Sequence, residues 1–128
     1  MKLRLIMLAI TLIMVSVQAG KAGKYEAPGH HQYHEWYQAI QSLLRIGGCC
    51  DEQSNDCGPV DAYIDLNMGA RVLLEDGKWH NTGVNVQKYY VDTPDGKAHA
   101  CRQPETNNYS LPTGKFIFYC LFLPRPMM

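Results

Sequence analysis

An amphipathic pattern with helical spacing begins near residue 33. Its apolar positions are Tyr33, Trp36, Tyr37, Ile40, Leu43 and Leu44. Gly47 and Gly48 come next, and glycine accepts the left-handed backbone that commonly ends a helix. We therefore predict a helix over residues 34–46, with its aromatic stripe packed in the core.

Beyond this helix the pattern changes to short runs bounded by turn residues. Residues 60–68 alternate as a strand does, although positions 60, 63, 64 and 67 would also suit a helix. Gly58-Pro59 before this run and Gly69 after it bracket a short element. That bracketing favours a strand over a helix.

The strongest hairpin signal is Asp76-Gly77, a dipeptide typical of tight turns, which is flanked by the segments 71–74 and 78–81. Further strands are predicted over residues 84–91, 98–102 and 115–123, with a turn at 93–96 and a polar loop over 103–114. The sum is an α+β domain, in which one N-terminal helix precedes a small, mostly antiparallel sheet of five or six strands.

The amino terminus has the features of an export signal. Lys2 and Arg4 precede an apolar run over residues 5–15, and Val17-Gln18-Ala19 fits the small-x-small cleavage rule. We predict a cleaved signal peptide over residues 1–19, a single domain over residues 20–128, and a secreted or periplasmic location. The alternative is an uncleaved anchor, which the shortness of the apolar run disfavours. After cleavage no stable membrane span is expected.

Composition narrows the class of partner. Lys plus Arg equals Asp plus Glu at 12 each, so the formal net charge is zero, and 46% of residues are hydrophobic. An ordinary folded domain has this balance, whereas a nucleic-acid-binding protein usually carries a basic excess. We therefore expect no nucleic-acid partner.

The cysteines are expected to form disulfides, because an exported protein folds in an oxidising compartment. The candidates are Cys49, Cys50, Cys57, Cys101 and Cys120. Leaving out each of the five in turn, with three pairings for the other four, gives fifteen connectivities. These remain open, although a bond between the adjacent Cys49 and Cys50 would need a strained ring.

Two other chemistries compete for these residues. His99 and Cys101 are two apart on a predicted strand and share a face, so with Cys57 and His80 they form an alternative metal-ligand set. The paired C-x2-4-C spacing of zinc sites is missing, so no metal or other cofactor is expected. A cysteine hydrolase would pair Cys57 with His80 or His99, but it would need a helix headed by Pro59.

Several short sequence motifs occur together along the chain. They are His34-Glu35-Trp36-Tyr37, Cys49-Cys50, Asp76-Gly77-Lys78-Trp79, Ala98-His99-Ala100-Cys101, and Cys120 before Pro124. Their order and spacing resemble a group of short exported bacterial proteins with an H-x-W-Y helix start, a double cysteine, a D-G-x-W hairpin and an A-H-x-C strand. The resemblance implies a bacterial envelope location and an odd cysteine count common to the group. It implies no activity and no catalytic residue.

The function expected from the sequence is therefore non-enzymatic. We predict a small disulfide-stabilised module that binds an unknown protein or another component of the bacterial envelope. The alternative is a metal-binding or thiol-redox protein that uses the cysteines together with His80 and His99.

Overall fold

The computed structural model describes residues 25–50, 55–67 and 69–125. The predicted signal peptide, residues 1–19, lies outside these described residues. One helix, α1 (His30–Leu44), is followed by six strands. They are β1 (Cys57–Asp65), β2 (Gly69–Leu73), β3 (Trp79–Asn81), β4 (Gln87–Val91), β5 (Ala98–Thr106) and β6 (Pro112–Pro124). The predicted α+β class is confirmed.

Helix α1 begins and ends earlier than predicted. It starts at His30, where Gly29 adopts a φ of 80° and where a Cβ atom would lie 2.9 Å from the Pro59 ring. Glycine is therefore needed at this position for both conformation and space. At the other end Arg45 takes the left-handed conformation, so the helix stops before Gly47 is reached. In the described residues no helix is long and apolar enough to span a bilayer.

The six strands form one sheet in the order β3-β2-β1-β5-β6-β4. All neighbours are antiparallel except β4 and β6, which are parallel. The predicted strand over residues 60–68 is β1, and Gly77 adopts a φ of 75° in the turn between β2 and β3. The sequence-based choice of a strand and of a hairpin at these two places is confirmed.

The predicted polar loop over residues 103–114 is wrong in most of its length. Strand β5 continues to Thr106, and β6 already begins at Pro112. Only residues 107–111 turn, and the side chain of Asn107 accepts the N–H groups of Tyr109 and Leu111 there. The end of β5 and the start of β6 therefore form a two-stranded antiparallel ribbon that is exposed at its tip. Its polar side chains face water, as they do on the solvated side of an antiparallel sheet, and do not indicate an irregular loop.

The two faces of the sheet carry two hydrophobic clusters. Helix α1 packs on the first face, where its Tyr37 and Ile40 join four cysteines of the disulfides and Phe122. The second cluster fills the opposite face and includes Val72, Leu121 and Leu123. The ring of His80 on β3 lies 5.2 Å from that of Phe116 on β6, although three strands separate β3 from β6. The sheet is therefore curled around its second cluster.

Candidate functional site

Three neighbouring strands place one cysteine each at the same level beneath the helix. Cys57 of β1 is the register partner of Cys101 of β5, which is in turn the register partner of Cys120 of β6. Disulfides join Cys57 to Cys101 and join Cys49, which follows the helix, to Cys120. The disulfide prediction is confirmed, and the structure selects one of the fifteen connectivities that the sequence left open.

Cys50 is the fifth cysteine, and it is buried outside these two disulfides. The side chain of Gln41 fixes its backbone, since Nε2 donates to the Cys50 carbonyl at 2.6 Å and Oε1 accepts its N–H at 2.9 Å. The Cys50 sulfur, the Cys57 sulfur and a carboxylate oxygen of buried Asp56 all lie within 4.8 Å of one another. The sulfur of Cys50 thus lies beside a disulfide.

The Cys50, Asp56 and Cys57 group is the one place in the described ranges where three potential metal ligands meet. The structure does not bring together the alternative metal-ligand set that the sequence suggested, which was Cys57, Cys101, His80 and His99. Cys57 and Cys101 are bonded to each other, and His99 lies on the helix-covered face. His80 lies on the opposite face, where it hydrogen-bonds Asp76.

Residue Cys57 also begins a strand. The cysteine-hydrolase alternative would need a helix headed by Pro59, and the chain is extended there instead. With its sulfur in a disulfide, Cys57 has no thiolate to act as a nucleophile in this state. Cys57 therefore has a structural role in the oxidised protein.

A hydrogen-bonded chain of three side chains crosses the interface between helix and sheet. Tyr37, which is fully buried on α1, lies 2.7 Å from Nδ1 of His99, and Nε2 of His99 lies 2.8 Å from Oδ1 of Asp95. A carboxylate only accepts, so Nε2 carries the proton and Nδ1 accepts the Tyr37 hydroxyl proton. The tautomer of His99 is thereby fixed.

Burial shifts the pKa values of His99 and Asp95 in this hydrogen-bonded chain. Desolvation lowers the pKa of His99 below its usual value, while the neighbouring Asp95 opposes the shift without reversing it. Desolvation raises the pKa of Asp95, but hydrogen bonds from His99 and from the Lys97 backbone outweigh it, so the net shift is downward. At neutral pH the chain is a neutral imidazole that bridges a carboxylate and a phenol.

A second buried histidine stacks against the same tyrosine. His30 and Tyr37 have ring centroids 5.2 Å apart, and Nδ1 of His30 donates to the Cys57 carbonyl at 2.7 Å. The other nitrogen, Nε2, lies 2.9 Å from Nδ1 of His34. Desolvation lowers the pKa of His30, the Cys57 carbonyl opposes this, and His34 adds to it. Both buried histidines are thus neutral structural groups.

A repeated pentapeptide, D-G-K-x-H, explains the contact of His80 with Asp76 and that of His99 with Asp95. It occurs at residues 76–80 and 95–99. In each copy the aspartate accepts the backbone N–H of the lysine and pairs with Nε2 of the histidine four residues on, at 2.8 Å. The repeat could have been found in the sequence, and it would have paired His80 with Asp76 and His99 with Asp95 in advance.

Strand β5 also buries a cation, at the residue that directly follows Cys101. The Arg102 side chain is almost fully buried, donates to Oε2 of Glu75 at 2.9 Å, and lies over the Tyr25 ring. The Tyr25 hydroxyl donates to the other oxygen of Glu75. Desolvation alone would raise the pKa of Glu75, but these partners lower it overall. The turn before β3 is thereby tied to β5.

An exposed aromatic pair lies on the outer half of the sheet. Tyr63 of β1 and Trp79 of β3 have ring centroids 4.9 Å apart, and the two side chains are 39% and 43% exposed. Arg71 of β2 is the register partner of Tyr63, and Leu73 is the register partner of Trp79. We call these four residues the aromatic face. In the described part of the chain the core beneath α1 includes no residue of β2 or β3.

A cleft of about 330 Å³ adjoins the aromatic face. It is lined by residues 60–62 of β1, residues 96–98 and Pro124. Asp61 lies at its rim, 3.8 Å from the Lys97 ammonium, and is also the register partner of Leu73. The cleft opens where β1 extends beyond its pairing with β5, which ends at Val60 and Ala98. Sequence reasoning missed both features, because they depend on strand register.

Comparison with known proteins does not assign a family. The chain matches no protein-family model, no curated protein and no solved structure. The resemblance to short exported bacterial proteins therefore stays a prediction from sequence. The function has to be inferred from the side chains described above.

Proposed function

We propose that this protein is an exported, disulfide-stabilised binding module that docks a protein of the bacterial envelope on its aromatic face. Two disulfides support the exported part of the proposal, because disulfides persist mainly in oxidising compartments. The signal-like residues 1–19 agree with it.

The exposed contact between Tyr63 and Trp79 carries the proposal. Large aromatic side chains left 39% and 43% exposed on a sheet cost hydration free energy, which a partner recovers by covering them. Their rings meet across β2, which places Arg71 on the same face. Trp, Tyr and Arg are the residues that most often dominate binding energy in protein interfaces.

The surroundings of the aromatic face fit a protein rather than a polyanion. Asp61 and Lys97 form an exposed pair of opposite charge at its edge, and the whole chain has no net charge. A mixed polar rim around an aromatic centre is the usual composition of a protein interface. The adjoining cleft gives a partner side chain a place to insert.

The test measures retention of bacterial envelope fractions on the immobilised full chain. Trp79→Ala and Tyr63→Ala should each weaken retention by roughly thirtyfold, the equivalent of the 2 kcal/mol that defines an interface hot spot. Tyr109→Ala is the matched control, since Tyr109 is 84% exposed but lies in the turn after β5. It should retain the wild-type amount.

Enzymatic treatment of the fraction identifies the class of partner. Protease treatment should abolish retention, whereas glycan digestion should leave it unchanged. Retention that survives protease, or equal retention by all three variants and the wild type, would contradict a protein partner on the aromatic face. Circular dichroism of each variant checks that the fold is intact.

A further inference from the structure

We propose that Cys50 is the attacking thiol of an internal exchange circuit, in which the odd thiol of the chain moves between the two disulfides. The Cys50 sulfur lies within 4.8 Å of the Cys57 sulfur, which is bonded to Cys101. This property goes beyond partner binding and does not depend on the aromatic face.

The first step is an isomerisation that needs no external oxidant or reductant. The Cys50 thiol loses its proton and its thiolate forms a bond to the Cys57 sulfur, while the bond from Cys57 to Cys101 breaks. The electron pair leaves on the Cys101 sulfur, which takes up a proton. Among Cys50, Cys57 and Cys101 there is one disulfide and one thiol both before and after the step.

A proton acceptor is present where this step begins. A carboxylate oxygen of Asp56 lies within the same 4.8 Å group and is 3.6 Å from the Cys57 sulfur. Asp56 is buried, and its own carbonyl accepts the N–H of Arg102 next to Cys101. The carboxylate can therefore hold the proton of Cys50 until a thiolate takes it.

The second step follows from strand register. Cys101 is directly opposite Cys120 on β6, as well as opposite Cys57 on β1. A thiolate on Cys101 is thus a neighbour of the disulfide from Cys49 to Cys120. Attack on Cys120 forms a bond between Cys101 and Cys120 and releases Cys49 as the thiol. Cys49 is buried like Cys50 and directly follows the exposed Gly47 and Gly48, so the circuit moves the thiol from Cys50 to its buried neighbour in the chain.

Two single substitutions test the first step. Cys101→Ser and Cys57→Ser both remove the same native disulfide, and each leaves one of its two cysteines in place. After oxidative refolding with glutathione, Cys101→Ser should contain a disulfide between Cys50 and Cys57 and take up no alkylating label. Cys57→Ser removes the target of Cys50 and should take up two labels. Two labels in both variants would overturn the proposal.

The unmodified chain provides a second test that does not depend on folding of the variants. The purified protein is held at about pH 8, where a thiol of ordinary pKa is partly ionised, and is alkylated after increasing times. Because no Lys or Arg lies between Arg45 and Arg71, it is cleaved at acidic residues, which separates Cys50 from Cys57. Label should appear on Cys101 or Cys49 as well as on Cys50. Label confined to Cys50 at every time would overturn the circuit.

Discussion

Tyr37 on the helix and His99 on β5 are separated by 62 residues in sequence and joined by a buried hydrogen bond of 2.7 Å. The bond lies between helix and sheet, next to the apolar surfaces of Trp36, Phe122 and the disulfides. An apolar interface alone tolerates sliding, whereas a polar pair must meet to satisfy both groups. The pair therefore helps to set the position of α1 on the sheet.

Removal of the Tyr37 hydroxyl should destabilise the fold. Tyr37→Phe leaves Nδ1 of His99 buried without its donor, which costs about 1–3 kcal/mol. The measurement is the urea midpoint of unfolding followed by circular dichroism. Tyr109→Phe removes an exposed hydroxyl and should change the free energy of unfolding by less than about 0.5 kcal/mol. Equal midpoints for the two variants would contradict a structural role for the bond.

The free energy of unfolding should fall as the pH drops below about 6.5, the usual histidine pKa. Burial lowers the pKa of both His30 and His99 in the folded state, so the unfolded chain binds protons first. By linkage, the stability that these histidines contribute is present above the unfolded pKa and is lost as the pH falls toward the folded one. Unfolding at about pH 7.5 and about pH 5.5 measures the difference.

A non-titrating substitution assigns this pH dependence. His99→Gln can still bond Asp95 and Tyr37, and it should reduce the loss of stability between the two pH values. His31→Gln is the matched control, because the side chain of His31 is exposed and pairs with Glu26 at the surface. It should keep the wild-type dependence. A His99→Gln variant with an unchanged dependence would contradict the assignment.

The fold class could be predicted because local pattern and final structure agree over most of the chain. The stripe from Tyr33 to Leu44 does form the helix, and Asp76-Gly77 does form the hairpin turn. The helix start was missed because His30 is held by the Cys57 carbonyl, a contact across 27 residues that no local pattern shows. Likewise, Pro104 and its polar neighbours indicate a loop, but they pair with β6 in an exposed ribbon.

The candidate sites depended more strongly on long-range structure. The five cysteines were identified from sequence, but their pairing follows from the register that aligns Cys57, Cys101 and Cys120. The aromatic face needs Tyr63 and Trp79 to meet across an intervening strand, which spacing alone cannot predict. The exception is Asp95 with His99, since the repeated D-G-K-x-H pentapeptide was visible in the chain.

Loss of the Glu75 carboxylate should destabilise the protein through Arg102. Glu75→Ala leaves a buried guanidinium without its charged acceptor, at a cost of roughly 1.5–3 kcal/mol, since Glu75 itself is partly exposed to solvent. Glu75→Gln keeps a hydrogen-bond acceptor and should cost less. Glu35→Ala, at an exposed helix position, is the control and should have little effect on the urea midpoint. The loss of stability should be largest for Glu75→Ala, smaller for Glu75→Gln and smallest for the Glu35→Ala control.

The two disulfides should contribute nearly equally to stability. They span 44 and 71 residues, so loop closure predicts about 4 kcal/mol for each, with the longer loop ahead by about 0.4 kcal/mol. The double variants Cys57→Ser with Cys101→Ser and Cys49→Ser with Cys120→Ser remove one bond each and leave no unmatched partner. Cys50→Ala keeps both bonds and should lose only about 1 kcal/mol. Thermal unfolding of the three proteins measures the differences, and a wild-type melting temperature in either double variant would show that its disulfide does not stabilise the fold.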